Sequence, residues 1–125
     1  MKLLDTTVAV DYLRGRHQAH DLLGDLTQRP GDIVASELVR FEIVAGAREP
    51  EVGAIERFLA ALEWVPVNRR VARVGGELAR RYRPSFGGIE DVDYLIAATA
   101  LILDAELLTT NVKHFPMFAG LEPAY

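Results

Sequence analysis

Three acidic residues, Asp5, Glu42 and Asp93, stand inside apolar stretches: KLLDTT, SELVRFEIVAGA and VDYLIAATALIL. A carboxylate in such surroundings costs free energy unless hydrogen bonds or a cation offset its charge. Several carboxylates brought to one low-dielectric cleft must either protonate or gather a cation. The chain has no cysteine, and its three histidines are not paired at ligand spacing. An all-oxygen donor set then selects Mg²⁺ or Mn²⁺ over zinc. Mg²⁺ keeps waters and shares phosphate oxygens with a substrate, so such a site points to phosphoryl or phosphodiester chemistry. Spacing alone does not bring these acids together; a fold has to.

Each acid also has an ordinary local use. Asp5 precedes a helical stretch, where Asp is a favoured cap. Glu42, wound at about 100° per residue, falls between a Leu38–Phe41–Ala45 stripe and Val39, on the inward side of its helix and away from Arg40. A buried Glu needs a cationic partner, so arginine and metal both stand as candidates. Asp93 opens the most apolar helix of the chain, where an acid meets the positive end of the helix dipole. Asp91, accompanied by Glu90, can serve as cap from a more exposed position and is an auxiliary acid. That leaves Asp93 pointing inward with Ile96, Ala97 and Ala100.

The elements that must position these residues alternate between strand and helix. KLLD is a short buried strand ending at Asp5, TVAVDYLRG a helix stopped by Gly15, and HQAHDLLGDLTQ a second helix before Arg29-Pro30-Gly31. DIVAS is the second strand; Ser36 caps the helix of SELVRFEIVAGA, which Gly46 ends. EVGAIERFLAAL is helical. EWVPV is a third strand at a sheet edge, because Pro66 has no N–H for a ladder. NRRVARVGGELARRYR is a long basic helix weakened by Gly75-Gly76, and PSFGG is a loop. The helix of Asp93 follows, then ELLTT as a fourth strand and LEPAY as a fifth. This order predicts a parallel sheet covered on both faces, with ligands beyond the carboxyl ends of its strands. Thr110 and Asn111 of TTNVKHF fall at that edge. Asn111 reads as a turn residue, a neutral oxygen ligand or a phosphate donor. Lys113 is a surface lysine or a phosphate contact. His114 reads as a local hydrogen-bonding residue rather than a general base.

A chain of 125 residues fits one domain, residues 1–125, and buries about two thirds of its unfolded surface. Half of its residues are hydrophobic, which hints at a surface covered by a partner. The apolar faces of TVAVDYL and EVGAIERFLAAL suit a homodimer or a groove for a partner helix. The opening MKLLDTT does not read as a secretory leader, and no apolar run is long enough to span a bilayer. With the lack of cysteine, that fits the cytoplasm. Net charge is −4, so nucleic acid is attracted only through local basic residues or a bound cation. Arg69, Arg73 and Arg80 share a rough helical face, which reads first as a solvated surface and second as a backbone track.

LLDTTVAVDYLRG, SELVRFEIVAGA and EDVDYLIAATALILDAELLTTNVKHF, in that order, resemble the PIN-domain ribonucleases, and among them the VapC-type toxins of bacterial toxin–antitoxin pairs. The resemblance covers nearly the whole chain. It implies a three-layer α/β/α fold with a parallel sheet of about five strands, and Mg²⁺- or Mn²⁺-dependent endoribonuclease activity on structured RNA loops such as those of tRNA or rRNA. It also implies neutralisation by a cognate VapB-type antitoxin. The family's catalytic and metal-binding acids fall on Asp5, Glu42 and Asp93. A fourth family acid is absent: Asn111 stands at the end of the fourth strand, and His114 replaces the nearby aspartate. Thr6 and Asn111 would position metal waters or phosphate. By analogy water attacks, leaving a 5′-phosphate and a 3′-hydroxyl.

Two other readings use the same residues. A haloacid-dehalogenase-type phosphatase also begins with a strand ending in Asp, but needs a second Asp two residues on, where this chain has Thr7. A non-catalytic RNA- or protein-binding module would use the acids only to cap helices and pair arginines.

Overall fold

The computed structural model describes residues 1–125, the side chain of Thr27 excepted. Strands β1 (Lys2–Leu4), β2 (Ile33–Ser36), β3 (Glu63–Val65) and β4 (Glu106–Leu108) form one sheet in the order β3-β2-β1-β4. Every pairing is parallel. Such a sheet is buried on both faces, and the strand side chains are accordingly apolar: Leu3, Leu4, Val34, Ala35, Leu107 and Leu108 are all in the core. Helices α1 (Thr6–Leu13), α2 (His17–Leu23), α3 (Glu37–Ala45), α4 (Val52–Ala61), α5 (Arg69–Tyr82) and α6 (Asp91–Leu103) cover it in a three-layer α/β/α arrangement.

The expected fifth strand does not form: residues 121–125 take no regular secondary structure. They are tied to the sheet through the hydrogen bond from Ala124 N to Thr109 O, 2.8 Å. Pro123 has no N–H to extend a ladder there. The second helix ends earlier than expected, at Leu23, because Gly24 turns the chain at φ +57°. A short 3₁₀ turn follows at Leu26–Gln28. β3 lies at a sheet edge, in keeping with Pro66 just beyond it.

Gly75 does not weaken α5 so much as let it approach. A Cβ at that position would lie 2.9 Å from Leu95 Cδ2 on α6. α6 in turn buries Tyr94, Ile96, Ala97, Ala98, Thr99 and Ala100. Small residues on several faces let it pack against both the sheet and α5.

On α3 the buried face is Val39 and Ile43, whereas Phe41 and Val44 are exposed. The inward stripe therefore runs one residue round from the Leu38–Phe41–Ala45 line that the sequence suggests, and Glu42 flanks it. α4 buries Ile55, Phe58 and Leu59 within the chain's own core. Val52 of the same helix stays exposed, and Ala54 lines a groove beside it.

Candidate functional site

Strand register sets the site. Leu4 of β1 pairs with Ala35 of β2 and Leu108 of β4, so the strands finish nearly level. The chain runs from β1 outward through β2 to β3, then returns across to β4 on the other side of β1. The crevice beyond β1 and β4 is thus the topological switch point of the sheet, where open α/β folds bind ligands. A cleft of about 480 Å³ opens there, lined by Asp5, Thr6, Glu42, Glu90, Asp93, Thr110, Asn111 and His114, with Arg14 and Arg16 at its border.

Asp5 holds the N-cap position of α1 but makes no side-chain cap bond. Its Oδ2 instead accepts from Thr109 Oγ1 at 2.7 Å and from Thr7 Oγ1 at 3.2 Å. These hydroxyls are themselves fixed: Thr109 Oγ1 accepts from Asn111 N at 3.0 Å, and Thr7 Oγ1 from Thr110 N at 3.1 Å. Asp5 is only 4% exposed, and the bracket replaces the water it loses on burial.

Glu42 is placed by α3, whose start is fixed when Ser36 Oγ accepts from Leu38 N at 3.1 Å. Thr6 Oγ1 donates to Glu42 Oε1 at 2.7 Å. Burial pushes the Glu42 carboxyl above its usual range. The Thr6 hydrogen bond opposes that shift, and the charges of Asp5, Asp93 and Glu90 add to it. Among the described residues no arginine pairs with Glu42; Arg40 is engaged with Glu37 on the same helix.

Asp93 sits in the first turn of α6, where its Oδ2 accepts from Glu90 N at 3.1 Å and lies 2.9 Å from His114 Nδ1. Burial raises its carboxyl too; the Glu90 N–H and His114 pull it down, and Asp5 pushes it up. His114 reaches this place because Phe115, 1% exposed, plugs the following turn into the core. Burying such a ring contributes about 1.5–3 kcal/mol, which steadies the turn.

One pattern runs through all three acids. Each commits a single oxygen to donors: Oδ2 of Asp5, Oε1 of Glu42 and Oδ2 of Asp93. Among the described residues the second oxygen of each has no hydrogen-bond donor, and none of the three pairs with Lys or Arg. Nor do any three His, Asp or Glu side chains among the described residues close into a ready-built cage. Half-satisfied carboxylates around an open cleft fit an ion that keeps several of its own waters, as Mg²⁺ does, better than one held wholly by side chains.

Asn111 and Thr6 line the cleft as expected. Lys113 does not: it is exposed and lies outside. Asp91 also lies outside, 85% exposed and bonded to Arg83. The helix N-cap is Glu90, and it is Glu90 that joins the other acids in the cleft. Thr7, Thr109, Arg14 and Arg16 were not singled out as site residues by sequence. The double threonine of LLTTN was the available signal, since two hydroxyls side by side at a strand's carboxyl end can turn to different partners.

With this geometry in hand, comparison places the chain. The profile of the family described as PIN domain matches residues 2–120. The chain belongs to the PIN-domain family. It is 60% identical over 125 residues to Ribonuclease VapC19 of Mycobacterium tuberculosis (strain ATCC 25618 / H37Rv), covering 100% of both chains. Among solved structures it is similar to a toxin–antitoxin complex from Klebsiella pneumoniae, with TM-score 0.82 and 24% identity over 100% of this chain and 98% of that one. It is also similar to VapBC-1 from nontypeable Haemophilus influenzae, with TM-score 0.70 and 26% identity over 91% of this chain and 89% of that one.

Proposed function

We propose that residues 1–125 form a single-domain VapC-type toxin, an endoribonuclease that hydrolyses RNA phosphodiester bonds using a divalent cation held by Asp5, Glu42 and Asp93. The observation that carries this reading is the free second oxygen on each of three carboxylates that line one cleft at the switch point, with no guanidinium or ammonium partner among the described residues. A bound Mg²⁺ or Mn²⁺ would supply Lewis acidity to phosphodiester hydrolysis. The chain's own residues do the rest. Thr7 and Thr109 lock Asp5, Thr6 aims Glu42, and His114 with the Glu90 N–H aims Asp93. Thr110 and Asn111 border the open side, where a scissile phosphate has room to lie.

The 60% identity to a protein named a ribonuclease supports the reaction class, and the likeness to VapBC-1 supports a VapB-type antitoxin as partner. A groove of about 520 Å³ continues from the acid cleft between α1, α3 and α4, lined by Val10, Leu13, Ile43 and Ala54. Arg14, Glu42, Arg48 and Glu51 line it as well, so it offers such a partner a seat of mixed apolar and charged character. Exposed Phe41 and Val44 on α3 are the surface we assign to a homodimer. No helix among the described residues is long and apolar enough to cross a membrane, and we place the activity in the cytoplasm, where RNA is the substrate.

The test is to express the chain without any partner and map new RNA ends, comparing it with Asp5→Asn. Discrete new ends that require Mg²⁺ or Mn²⁺ and vanish in Asp5→Asn are expected. Undiminished cleavage in excess chelator would overturn the reading. In purified protein, Mg²⁺ at about a hundred times its Kd should add about 2.7 kcal/mol of stability by mass action, and Asp5→Asn should gain almost none.

A further inference from the structure

An acidic cleft in a chain of net charge −4 repels the very backbone it is proposed to cut, so the source of attraction has to be local. The long basic helix is not that source. Arg69, Arg70, Arg73, Arg80 and Arg81 of α5 all lie outside the cleft. The cleft does have two guanidinium groups at its border, Arg14 and Arg16. They flank Gly15, whose backbone turns through φ +80° between α1 and α2. That left-handed turn is one only glycine adopts readily.

Arg16 is tethered but not buried. Its Nε lies 3.8 Å from Asp11 Oδ1, and 63% of its side chain is exposed. An exposed pair at that distance holds weakly. The other oxygen of Asp11 accepts a 2.6 Å hydrogen bond from the Tyr125 hydroxyl. Burial and Asp11 keep that phenol protonated well beyond its usual range. Asp11 thus divides its charge between a phenol and Arg16. One residue earlier, Ala124 N bonds to Thr109 O at 2.8 Å, so the same segment is fastened to the β4 exit that holds Asp5. The segment joins the two rims of the cleft.

We propose that Arg14 and Arg16 form a phosphate-binding rim that seats an RNA backbone over the acids, with Asp11 and Tyr125 as positioning residues for Arg16. The proposal rests on the ribonuclease reading. Guanidinium groups suit this work because their planar fork matches phosphate oxygens and is weakly hydrated.

The experiment measures binding of a short single-stranded RNA of mixed sequence across a salt series, with chelator present so that nothing is cut. Arg14→Gln and Arg16→Gln should each reduce the steepness of log K against log salt by about 0.7, the value for one lost phosphate contact on a single strand. Arg80→Gln on α5 should leave it unchanged. Both rim variants should keep the Mg²⁺-dependent rise in melting temperature and, with Mg²⁺, show a raised KM at little cost in kcat. Tyr125→Phe should weaken binding in the wild-type background and have no further effect on Arg16→Gln. Unchanged salt slopes in both rim variants, or an equal loss in Arg80→Gln, would overturn the rim. A Tyr125→Phe effect that adds in full to Arg16→Gln would overturn the positioning role. If the wild type cuts RNA with Mg²⁺ while the rim variants bind normally, only the rim is wrong. If the wild type neither binds nor cuts RNA, the ribonuclease reading falls as well.

Discussion

Asp5 and Glu42 share one cleft and are held in different ways. Asp5 is 4% exposed and takes two threonine hydroxyls, one from α1 and one from the exit of β4. Glu42 is half-buried, takes one, and has its carboxyl pushed up by burial. The fold has replaced the lost hydration of Asp5 with built-in donors, at a residue between strand and helix where the backbone cannot drift. It has left Glu42 under-solvated on a helix, facing other acids. The first arrangement is an anchor that exists before any ligand arrives. The second is a deficit that a cation relieves.

The strongest way to break that contrast is to remove the anchor's support. Thr109→Val keeps the shape and deletes the 2.7 Å bond to Asp5, together with the acceptor for Asn111 N. Loss of an outer support of this kind weakens metal affinity about 10–100-fold, and leaving a buried acceptor short of a donor costs about 1–3 kcal/mol. The expected result is a Mg²⁺ midpoint, read from thermal melts, moved to higher concentration by that factor and restored in Thr109→Ser. Thr7→Val, removing the longer 3.2 Å bond, should move it less. A wild-type midpoint in Thr109→Val would reduce the bracket to packing.

The second prediction sharpens the other side of the contrast. Glu42 and Asp93 have folded-state pKa values above their ordinary ones. Between the ordinary and the raised value the folded state binds more protons than the unfolded, so stability falls as pH rises through that window. The metal-free protein should therefore gain stability as pH drops from neutral toward the ordinary carboxylate range. Glu42→Gln should lose part of that slope and be the more stable protein at neutral pH. Urea melts in chelator across a pH series measure this. A slope identical in wild type and Glu42→Gln would show that Glu42 is not under-solvated.

Sequence made the scaffold of this contrast readable and left its wiring hidden. Alternation of apolar strands with helices makes all four strands and the six α-helices readable, though not the short 3₁₀ turns, because burial on both faces leaves a continuous apolar run in the residue order. LEPAY failed as a strand because a single hydrogen bond and a proline are not a ladder. Glu42 is legible as inward-facing even though the buried stripe beside it lies one residue round from the Leu38–Phe41–Ala45 line. Helical geometry tolerates a one-residue error when Val39 and Ile43 flank the same position. The bracket around Asp5 was not legible, since Thr7 and Thr109 are 102 residues apart and no local pattern couples them. Arg14 and Arg16 were hidden for the same reason: only the fold shows which of many arginines borders the cleft.

The smallest effect expected is also the one that tests how finely position separates two similar acids. Asp91 and Asp93 share the first turn of α6, and helix electrostatics alone would treat them nearly alike. Geometry does not. Asp91 points to solvent and bonds to Arg83, while Asp93 turns inward to Glu90 N and His114. An exposed pair such as Arg83–Asp91 is worth about 0–1 kcal/mol, so Asp91→Asn should shift the melting temperature slightly and leave the Mg²⁺ midpoint where it was. Asp93→Asn keeps an oxygen that can accept from Glu90 N, so its helix start survives while its charge is gone from the cleft. It should abolish most of the Mg²⁺ response with little loss of metal-free stability. Equal Mg²⁺ responses in the two variants would mean that the cation is sensed through the summed charge of the helix start. Direct placement of Asp93 would then no longer account for the site.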